Sequence, residues 1–272
     1  MERIGRLDWI AKAGFVARGS VYILFGCIAL TLRDRADEGQ SAVFDVLERA
    51  PAGTVLLAAT AAGLTAYGLF RLACAALDIE GKGPSLKGWA GRAAQAGSGA
   101  IHLALAWSAV QFLIGWKHSF DHAGDARSRA AVRTLLTLPL GDAALYAIAA
   151  GLFVAAGLQL RKAWTGSHMK QTRGDAPKLA DAIGRIGLVT RAVVFALVGL
   201  SFWRSAHSEQ PGQVTAVGGA IGGLGAHPLL YMAVCVGVIL FGTFSLLLAR
   251  YRMVPPIDVV ATGKAEARRL IA

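Results

Sequence analysis

The sequence has no asparagine, and it is poor in charge and in cysteine. Charged residues make up 17% of its 272 residues, against about 25% in an average soluble domain. Without asparagine the chain has no N-glycosylation sequon. The cysteines Cys27, Cys74 and Cys235 all fall within long apolar runs, where a thiol behaves as a small apolar group. The spacing therefore indicates neither a disulfide framework nor a CxxC site.

Hydrophobic residues are abundant instead, at 55% of the chain. An α-helix needs about 20 mostly apolar residues to cross the hydrocarbon core of a bilayer. Six segments reach this length, and they predict an all-α, polytopic membrane protein with helices at 14–32, 53–77, 94–116, 141–160, 187–206 and 227–249. A cleaved signal peptide is the competing interpretation of the first segment, but Arg18 interrupts its apolar run.

The net charge is +11, and we interpret the excess of basic residues as the signal that orients the chain in a membrane. The predicted partner is the lipid bilayer and not nucleic acid. Of the 28 lysines and arginines, 20 lie in the N-terminal region, in two of the connections or in the C-terminal tail, all on one predicted side of the membrane. Basic loops stay in the cytoplasm, so both termini are predicted to be cytoplasmic. Tryptophan is typical of membrane interfaces, and five tryptophans lie near predicted span ends: Trp9, Trp89, Trp116, Trp164 and Trp203.

A helix pair is repeated along the chain with a period of roughly 80 to 90 residues. The segment from Gly14 to Tyr22 aligns with that from Gly187 to Phe195, which places Arg18 on Arg191. In the first helix of the second copy, Gly99 aligns with Gly19 and His102 aligns with Tyr22. The second helices of the copies align as well, with Gly63 on Gly151 and Gly237, and the Tyr67-Gly68 pair on Phe241-Gly242.

The repeat divides the chain into predicted units at 5–80, 86–165 and 178–253, followed by a cytoplasmic tail at 254–272. Each unit begins and ends on the same side, so the copies are parallel and related by an axis along the membrane normal. Three parallel pairs predict a pseudo-threefold arrangement. Short apolar spacings in the first two outer loops, Val43/Val46/Leu47 and Val132/Leu135/Leu136, predict brief helices lying on the membrane face.

The opening Gly-x-x-Ala-Arg-Gly-x-x-Tyr of the first unit (Gly14, Ala17, Arg18, Gly19, Tyr22) resembles the bacterial DUF1206 membrane proteins. That family consists of three tandem two-helix domains. The resemblance covers nearly the whole chain outside the tail, and it implies a location in the bacterial cytoplasmic membrane without implying an activity. The second unit departs from the pattern, with Ser98 in the arginine position and His102 in the aromatic position.

Arginines inside the spans are the first candidate functional residues, because an arginine at the bilayer midplane costs about 2.5–3.5 kcal/mol. Arg18 and Arg191 lie about one turn into their helices. They either extend to lipid headgroups or face a central cavity and bind an anion or a lipid phosphate. Arg71, near the end of the second helix, is interpreted as an interfacial anchor.

His102 is the most polar deep residue of the third helix. It either makes an interhelical hydrogen bond or acts as a proton relay or ligand, because histidine titrates near neutrality. Ser98 lies four residues earlier on the same helix face and extends this polar stripe toward Gln111, with Gln159 as a further candidate partner.

Other chemistry is weakly indicated. His118 and His122 in an outer loop have the spacing of a minimal zinc pair, but Gly124 favours a solvated loop. The glycine-rich segment 218–225 is interpreted as a loop, because it lacks the lysine and βαβ setting of a phosphate cradle. No catalytic motif is present, so we expect no enzyme, no metal and no cofactor.

The sequence therefore predicts an integral membrane scaffold or a small-ligand or lipid-binding module, with an anionic lipid or small anion as candidate partner. The alternative is a transporter or channel along the pseudo-threefold axis, lined by Arg18, Ser98, His102 and Arg191. A transport path predicts that these side chains converge on one water-accessible cavity. A scaffold predicts a closed core of small residues, with the arginines facing lipid.

Overall fold

A computed structural model describes residues 2–31, 40–115, 123–170, 172, 174–208, 213–215 and 217–252. Within these ranges the elements are helical. Six helices are long and apolar enough to cross a membrane, namely α1 (Glu2–Thr31), α3 (Gly53–Ala76), α4 (Leu86–Leu113), α6 (Gly141–Thr165), α7 (Lys178–Ser208) and α9 (Pro228–Tyr251). Three short helices connect them, namely α2 (Gln40–Arg49), α5 (Ala123–Leu136) and α8 (Val217–Gly222). The all-α fold and the six long helices confirm the prediction.

The second helix of each unit packs closely against the first helix of the next unit, as α3 on α4, α6 on α7 and α9 on α1. Two of these crossings bring glycine backbones together. A Cβ at Gly19 would lie 2.8 Å from the carbonyl oxygen of Gly242, and one at Gly99 would lie 2.9 Å from that of Gly68. Buried Ala156 and Ala192 occupy the aligned positions in α6 and α7. Small residues thus let the helices approach closely.

The two helices of one unit pack together in the first and third units only. Gly14 lies against the backbone of Tyr67, and Gly187 lies in the same way against Phe241. In the part of the chain that the structure describes, α4 and α6 of the second unit have hardly any close contacts, and a side chain added at Gly151 would meet nothing within 4 Å. The helices do not form a closed ring, and the pseudo-threefold arrangement stays a prediction.

Basic side chains join successive units at the ends of their helices. Arg92 of α4 donates hydrogen bonds to the carbonyl oxygens of Ala75 and Ala76, at the end of α3. Arg185 of α7 donates likewise to those of Ala163 and Trp164, at the end of α6. The last carbonyl groups of a helix lack partners within it and carry partial negative charge. These two arginines therefore stabilise the helix ends at aligned positions of successive units.

The short helices correct two predictions. Helices occur in both predicted places, but Val43, Phe44 and Val132 are buried within the protein. These helices therefore pack these apolar side chains on neighbouring helices and not on lipid. The glycine-rich segment is also not a loop. The segment forms α8 and a single 3-10 turn at Gly223–Ala226. The side chain of Ile221 in α8 is buried in the hydrophobic core.

The ends of the long helices carry exposed tryptophans. Trp9 and Trp164 are 72% and 88% exposed, and Trp89 and Trp203 are about half exposed. Amphipathic rings at helix ends suit the membrane interface. Trp116 and the predicted tail 254–272 lie outside the described residues.

The crossing of α1 and α9 leaves no room for a side chain at Gly242. A Cβ there would lie 2.7 Å from the carbonyl oxygen of Gly19, so we expect Gly242→Val to lower the free energy of unfolding by about 1–3 kcal/mol, as overpacking does. The control is Gly157→Val on α6, where an added Cβ meets nothing within 4 Å. Thermal unfolding in detergent measures both variants, and equal midpoints would contradict the close crossing.

Candidate functional site

Arg18 is buried where α1, α3 and α9 meet, with 7% of its surface exposed. Its Nε donates a hydrogen bond to Ser245 Oγ at 2.9 Å, and its Nη1 donates to the hydroxyl of Tyr67. Its guanidinium carbon lies 4.8–5.1 Å from the ring centroids of Phe15, Tyr67 and Phe241. Arg18 therefore does not extend to the lipid headgroups, and protein groups surround it.

The local sequence explains this position. Gly19 follows Arg18 directly and forms the close crossing with α9, while Gly14 lets α1 rest on the backbone of Tyr67. Gly14 and Arg18 are four residues apart and so lie on the same helix face. The motif that marks the family resemblance thus serves to bring an arginine into the interior between two neighbouring helices.

Arg191 of α7 contacts the same ring of Phe241 that Arg18 contacts. Its guanidinium carbon lies 4.5 Å from the centroid of the Phe241 ring and 4.8 Å from that of Phe195. Its Nε is buried without a hydrogen-bond partner. The ring of Phe241 therefore contacts two cations, and the charges of Arg18 and Arg191 are close enough to interact.

No carboxylate balances these two cations within the described part of the chain. The hydrogen bonds of Arg18 go to neutral hydroxyl groups, and the contacts of Arg191 are with rings. Ring faces attract a cation by about 2 kcal/mol when the contact is desolvated, but they do not neutralise it. The cluster consequently carries net positive charge.

His102 of α4 joins the cluster through Tyr67, with ring centroids 4.5 Å apart. Its Nδ1 lies 2.7 Å from the carbonyl oxygen of Ser98. Since a carbonyl oxygen only accepts, Nδ1 carries the proton, and Nε2 is left as an acceptor in the neutral ring. This Nε2 is buried and has no partner. The hydrogen bond of His102 is thus within its own helix and not between helices.

Gln95 is a further polar residue on the buried face of α4, seven residues before His102. It is 1% exposed, and neither its amide nitrogen nor its amide oxygen has a hydrogen-bond partner. A buried amide without partners costs about 1–3 kcal/mol. A water molecule or an ion commonly supplies the hydrogen bonds of such a group.

The structure therefore brings together three of the four predicted site residues. Arg18 and Arg191 share Phe241, and His102 is linked to Arg18 by Tyr67. Ser98 takes part through its backbone carbonyl alone among the contacts described above. We name Arg18, Tyr67, His102 and Arg191 the arginine cluster.

Other chemistry finds no support in the described residues. They contain no group of three or more histidine, cysteine or acidic side chains that could hold a metal. The outer-loop pair His118 and His122 lies outside the described residues. A groove of about 1000 Å³ runs along the outer side of α1 and α3. Its lining includes Trp9, Val16 and Leu56 but no residue of the arginine cluster.

A second charged group lies at the end of the bundle where α3 and α9 finish. Glu80 pairs with Arg252 at 3.0 Å, with Lys82 at 3.2 Å and with Arg71 at 3.4 Å. Burial by itself raises the pKa of Glu80, but the three cations outweigh it and hold that pKa below its usual value. Arg71 is therefore part of a salt-bridge network, and it links the first unit to the third.

Comparison with known proteins agrees with this architecture. The six apolar helices define a multi-pass α-helical membrane protein. The sequence model of a family described as "Domain of Unknown Function (DUF1206)" matches residues 13–78, 93–166 and 186–252. These segments cover more than half of the chain, so the protein belongs to this family, and its three-part match confirms the predicted resemblance. The unit boundaries themselves stay a prediction.

One similar relative is a Bacillus subtilis (strain 168) protein described as "Uncharacterized protein YxxB". It is 27% identical over 264 residues, which cover 93% of this chain and 91% of the relative. No solved structure matches. The family and this relative indicate no catalytic class.

The sequence analysis did not identify the aromatic residues Tyr67 and Phe241 beside the arginines, and it did not identify the buried amide of Gln95 on α4. Tyr67 and Phe241 had been aligned with each other as repeat positions, and this alignment could have identified them as the rings beside Arg18 and Arg191. Gln95 was overlooked, although an amide inside an apolar helix is itself a signal.

The Glu80 network predicts a dependence of stability on acidity. The pKa of Glu80 is lower in the folded protein than its ordinary value of 4.5. The ionised carboxylate therefore stabilises the fold fully at a pH above 4.5, and this contribution is lost as the pH falls through the pKa of the folded state. We expect Glu80→Gln to lower the free energy of unfolding by about 1.5–3 kcal/mol at pH 7, as loss of hydrogen bonds to a charged group does.

Thermal unfolding of detergent-solubilised protein between pH 7 and pH 4 measures this effect. The wild-type protein should lose stability toward pH 4, whereas Glu80→Gln should start lower and change less. The matched control is Asp175→Asn, at an exposed loop position, which should follow the wild type. Parallel curves for wild type and Glu80→Gln would contradict the role of the network.

Proposed function

We propose that the protein is a non-catalytic ligand-binding module of the membrane, and that the arginine cluster binds a small anion or an anionic headgroup. The single observation that carries this proposal is the pair of guanidinium groups on Phe241, for which the described residues provide no carboxylate. The location proposed is the bacterial cytoplasmic membrane, with both termini cytoplasmic, and the bias of basic residues supports this orientation.

Charge is the first argument. Two like charges in a medium of low dielectric repel each other more strongly than in water. The guanidinium carbons of Arg18 and Arg191 lie 5.1 Å and 4.5 Å from the same ring centroid. The rings attract each cation but do not cancel the repulsion between the two. An anion between or beside the guanidinium groups would convert the repulsion into two charge-assisted interactions.

Available hydrogen-bond groups are the second argument. The Nε of Arg191 is a buried donor without a partner, and the Nε2 of His102 is a buried acceptor without one. An oxyanion such as phosphate accepts hydrogen bonds at several oxygens, and in its protonated form it also donates one. The chemistry of the cluster therefore suits an oxyanion better than a halide.

The arrangement supports neither catalysis nor a passive scaffold. The described ranges contain no group of three or more histidine, cysteine or acidic side chains that could hold a metal. A scaffold with arginines facing lipid predicts exposed guanidinium groups, whereas Arg18 is 7% exposed.

Binding is tested with inorganic phosphate as the probe. The full chain, purified in detergent and depleted of lipid, is titrated by calorimetry, and the wild type should bind phosphate at the cluster. We expect Arg191→Gln to weaken binding about tenfold or more, because a hydrogen bond to a charged group contributes about 1.5–3 kcal/mol.

Arg191→Gln is preferred to Arg18→Gln, since Arg18 also connects three helices. The control is Arg161→Gln, which removes a cation at an exposed position of α6 and should bind as the wild type does. Absence of binding to the wild-type protein, or equal loss in both variants, would overturn the proposed function.

The alternative is a transporter or channel whose path runs through the same residues, and the unpartnered Nε2 of His102 favours it. Under our proposal, phosphate flux from reconstituted liposomes should equal that of liposomes without protein. Flux above that level that is lost in His102→Ala would replace binding by transport.

A further inference from the structure

The connection between the second and third units carries a histidine whose ring is enclosed by protein. His168 lies in the 3-10 turn Ser167–Met169 that follows α6, and only 4% of its side chain is exposed. Its ring contacts Phe244 of α9, with centroids 5.4 Å apart. On α7, a Cβ at Gly184 would lie 2.7 Å from Cδ2 of His168. The imidazole therefore joins the turn to two long helices.

Both nitrogens of this ring face oxygen atoms that only accept hydrogen bonds. Nδ1 lies 3.1 Å from the carbonyl oxygen of Lys162, in the last turn of α6. Nε2 lies 3.2 Å from a carboxylate oxygen of Asp181 and 3.4 Å from the carbonyl oxygen of the same residue. A neutral imidazole has one donor and one acceptor nitrogen, whereas the imidazolium has two donors. The protonated ring therefore satisfies both contacts, and the neutral ring satisfies only one.

Arg185 holds the carboxylate of Asp181 in place. Its Nε donates a hydrogen bond to the other carboxylate oxygen at 2.8 Å, while its Nη1 donates to carbonyl oxygens at the end of α6. The carboxylate is thus shared between a permanent cation and one that exists only while His168 is protonated. The other charged residues described at this end of α6, α9 and the connection are exposed or paired elsewhere, namely Lys162, Lys170 and Arg250, which are exposed, and Arg252, which pairs with Glu80.

The equivalent joint between the first and second units differs at the acidic position. Arg92 of α4 aligns with Arg185 and donates to the end of α3 in the same way, but Gly88 stands where α7 has Asp181. A side chain at Gly88 would collide with the carbonyl oxygen of Gly83. The first joint therefore relies on a permanent cation, and the second joint adds a titratable one.

The segment that His168 fixes also reaches the first unit. Thr172 forms an antiparallel backbone bridge with Arg252, and Arg252 donates a hydrogen bond to Glu80 at 3.0 Å. The connection thus extends from the end of α6 to the Glu80 network. A change of charge on one imidazole consequently acts on a segment that contacts parts of all three units.

We propose that His168 is a pH-dependent latch, which holds the connection between α6 and α7 closed while its ring is protonated and releases it when the ring loses its proton. Deprotonation turns the lone pair of Nε2 toward two oxygens of Asp181, which is a repulsive contact in a site that excludes water. Histidine changes charge between about pH 5 and pH 8. The stabilisation is present at low pH and lost as the pH rises, so its sign is opposite to that of Glu80.

Cleavage by trypsin after Lys170 measures the release, because Lys170 is exposed and follows His168 by two residues. The full chain in detergent is digested at pH 6 and at pH 8.5, and mass spectrometry identifies the cut. Each rate is divided by that of a peptide with residues 164–176, which removes the pH dependence of the protease. Cleavage of a transiently opened segment follows the population of the open form. We expect the normalised rate of the wild type to rise about tenfold, the size of one hydrogen bond to a charged group.

Two variants remove the need for a protonated ring. Asp181→Asn keeps an oxygen for Arg185 and offers an N–H group to a neutral Nε2, so its normalised rate should change by less than about twofold between the two pH values. His168→Gln has no titrating group at this position, and its normalised rate should also be independent of pH. The matched control is His207→Gln, which removes an exposed histidine near the other end of α7 and should follow the wild type.

A normalised rate of the wild type that does not rise with pH would overturn the latch. A rise of the same size in Asp181→Asn would overturn it as well, because that variant bonds to the neutral ring. If His168→Gln fails to fold, the comparison of the wild type with Asp181→Asn decides the question by itself. The latch involves no residue of the arginine cluster, so its failure would leave the anion site standing.

Discussion

The contact of the Phe241 ring with two guanidinium groups is the interaction on which the interior of this protein depends. Arg18 and Arg191 come from helices of different units and contact one aromatic side chain of α9. Each cation is costly to remove from water, so the surrounding helices must supply rings and hydroxyl groups at short range. The glycine crossings meet this requirement, because they bring α1 close to α9 and to α3.

Divergence between the repeats has changed this contact from a structural one into a candidate binding site. In the first and third units an arginine lies against an aromatic residue of the partner helix in the same unit, as Arg18 on Tyr67 and Arg191 on Phe241. The second unit has Ser98 and Ala155 at these positions. Without that contact its two helices stand apart. On α4 the side-chain amide of Gln95 and the Nε2 of His102 are buried without a hydrogen-bond partner. The second unit therefore adds no third cation to the interior, and it is also the unit whose two helices lie apart.

Much of this fold could be predicted from the sequence, because apolar length and repeated motifs report on single helices and on their order. The sequence was sufficient to predict the six spans and the family. It was also sufficient to select Arg18, Arg191 and His102 as residues that could converge. The separation of α4 and α6 was not predictable, since the aligned glycines Gly63, Gly151 and Gly237 look identical in sequence, and packing in space decides which of them is covered. The orientation of α2 and α5 was missed for a related reason, because an apolar helix face fits protein and lipid equally well.

The most direct test of the arginine cluster is anomalous diffraction from crystals of the lipid-depleted protein grown with selenate, a heavy analogue of a tetrahedral oxyanion. The account predicts a selenium peak beside the guanidinium groups of Arg18 and Arg191, with oxygens within hydrogen-bonding distance of the Arg191 Nε. Peaks confined to the outer surface, with the guanidinium groups enclosed by protein side chains alone, would contradict it.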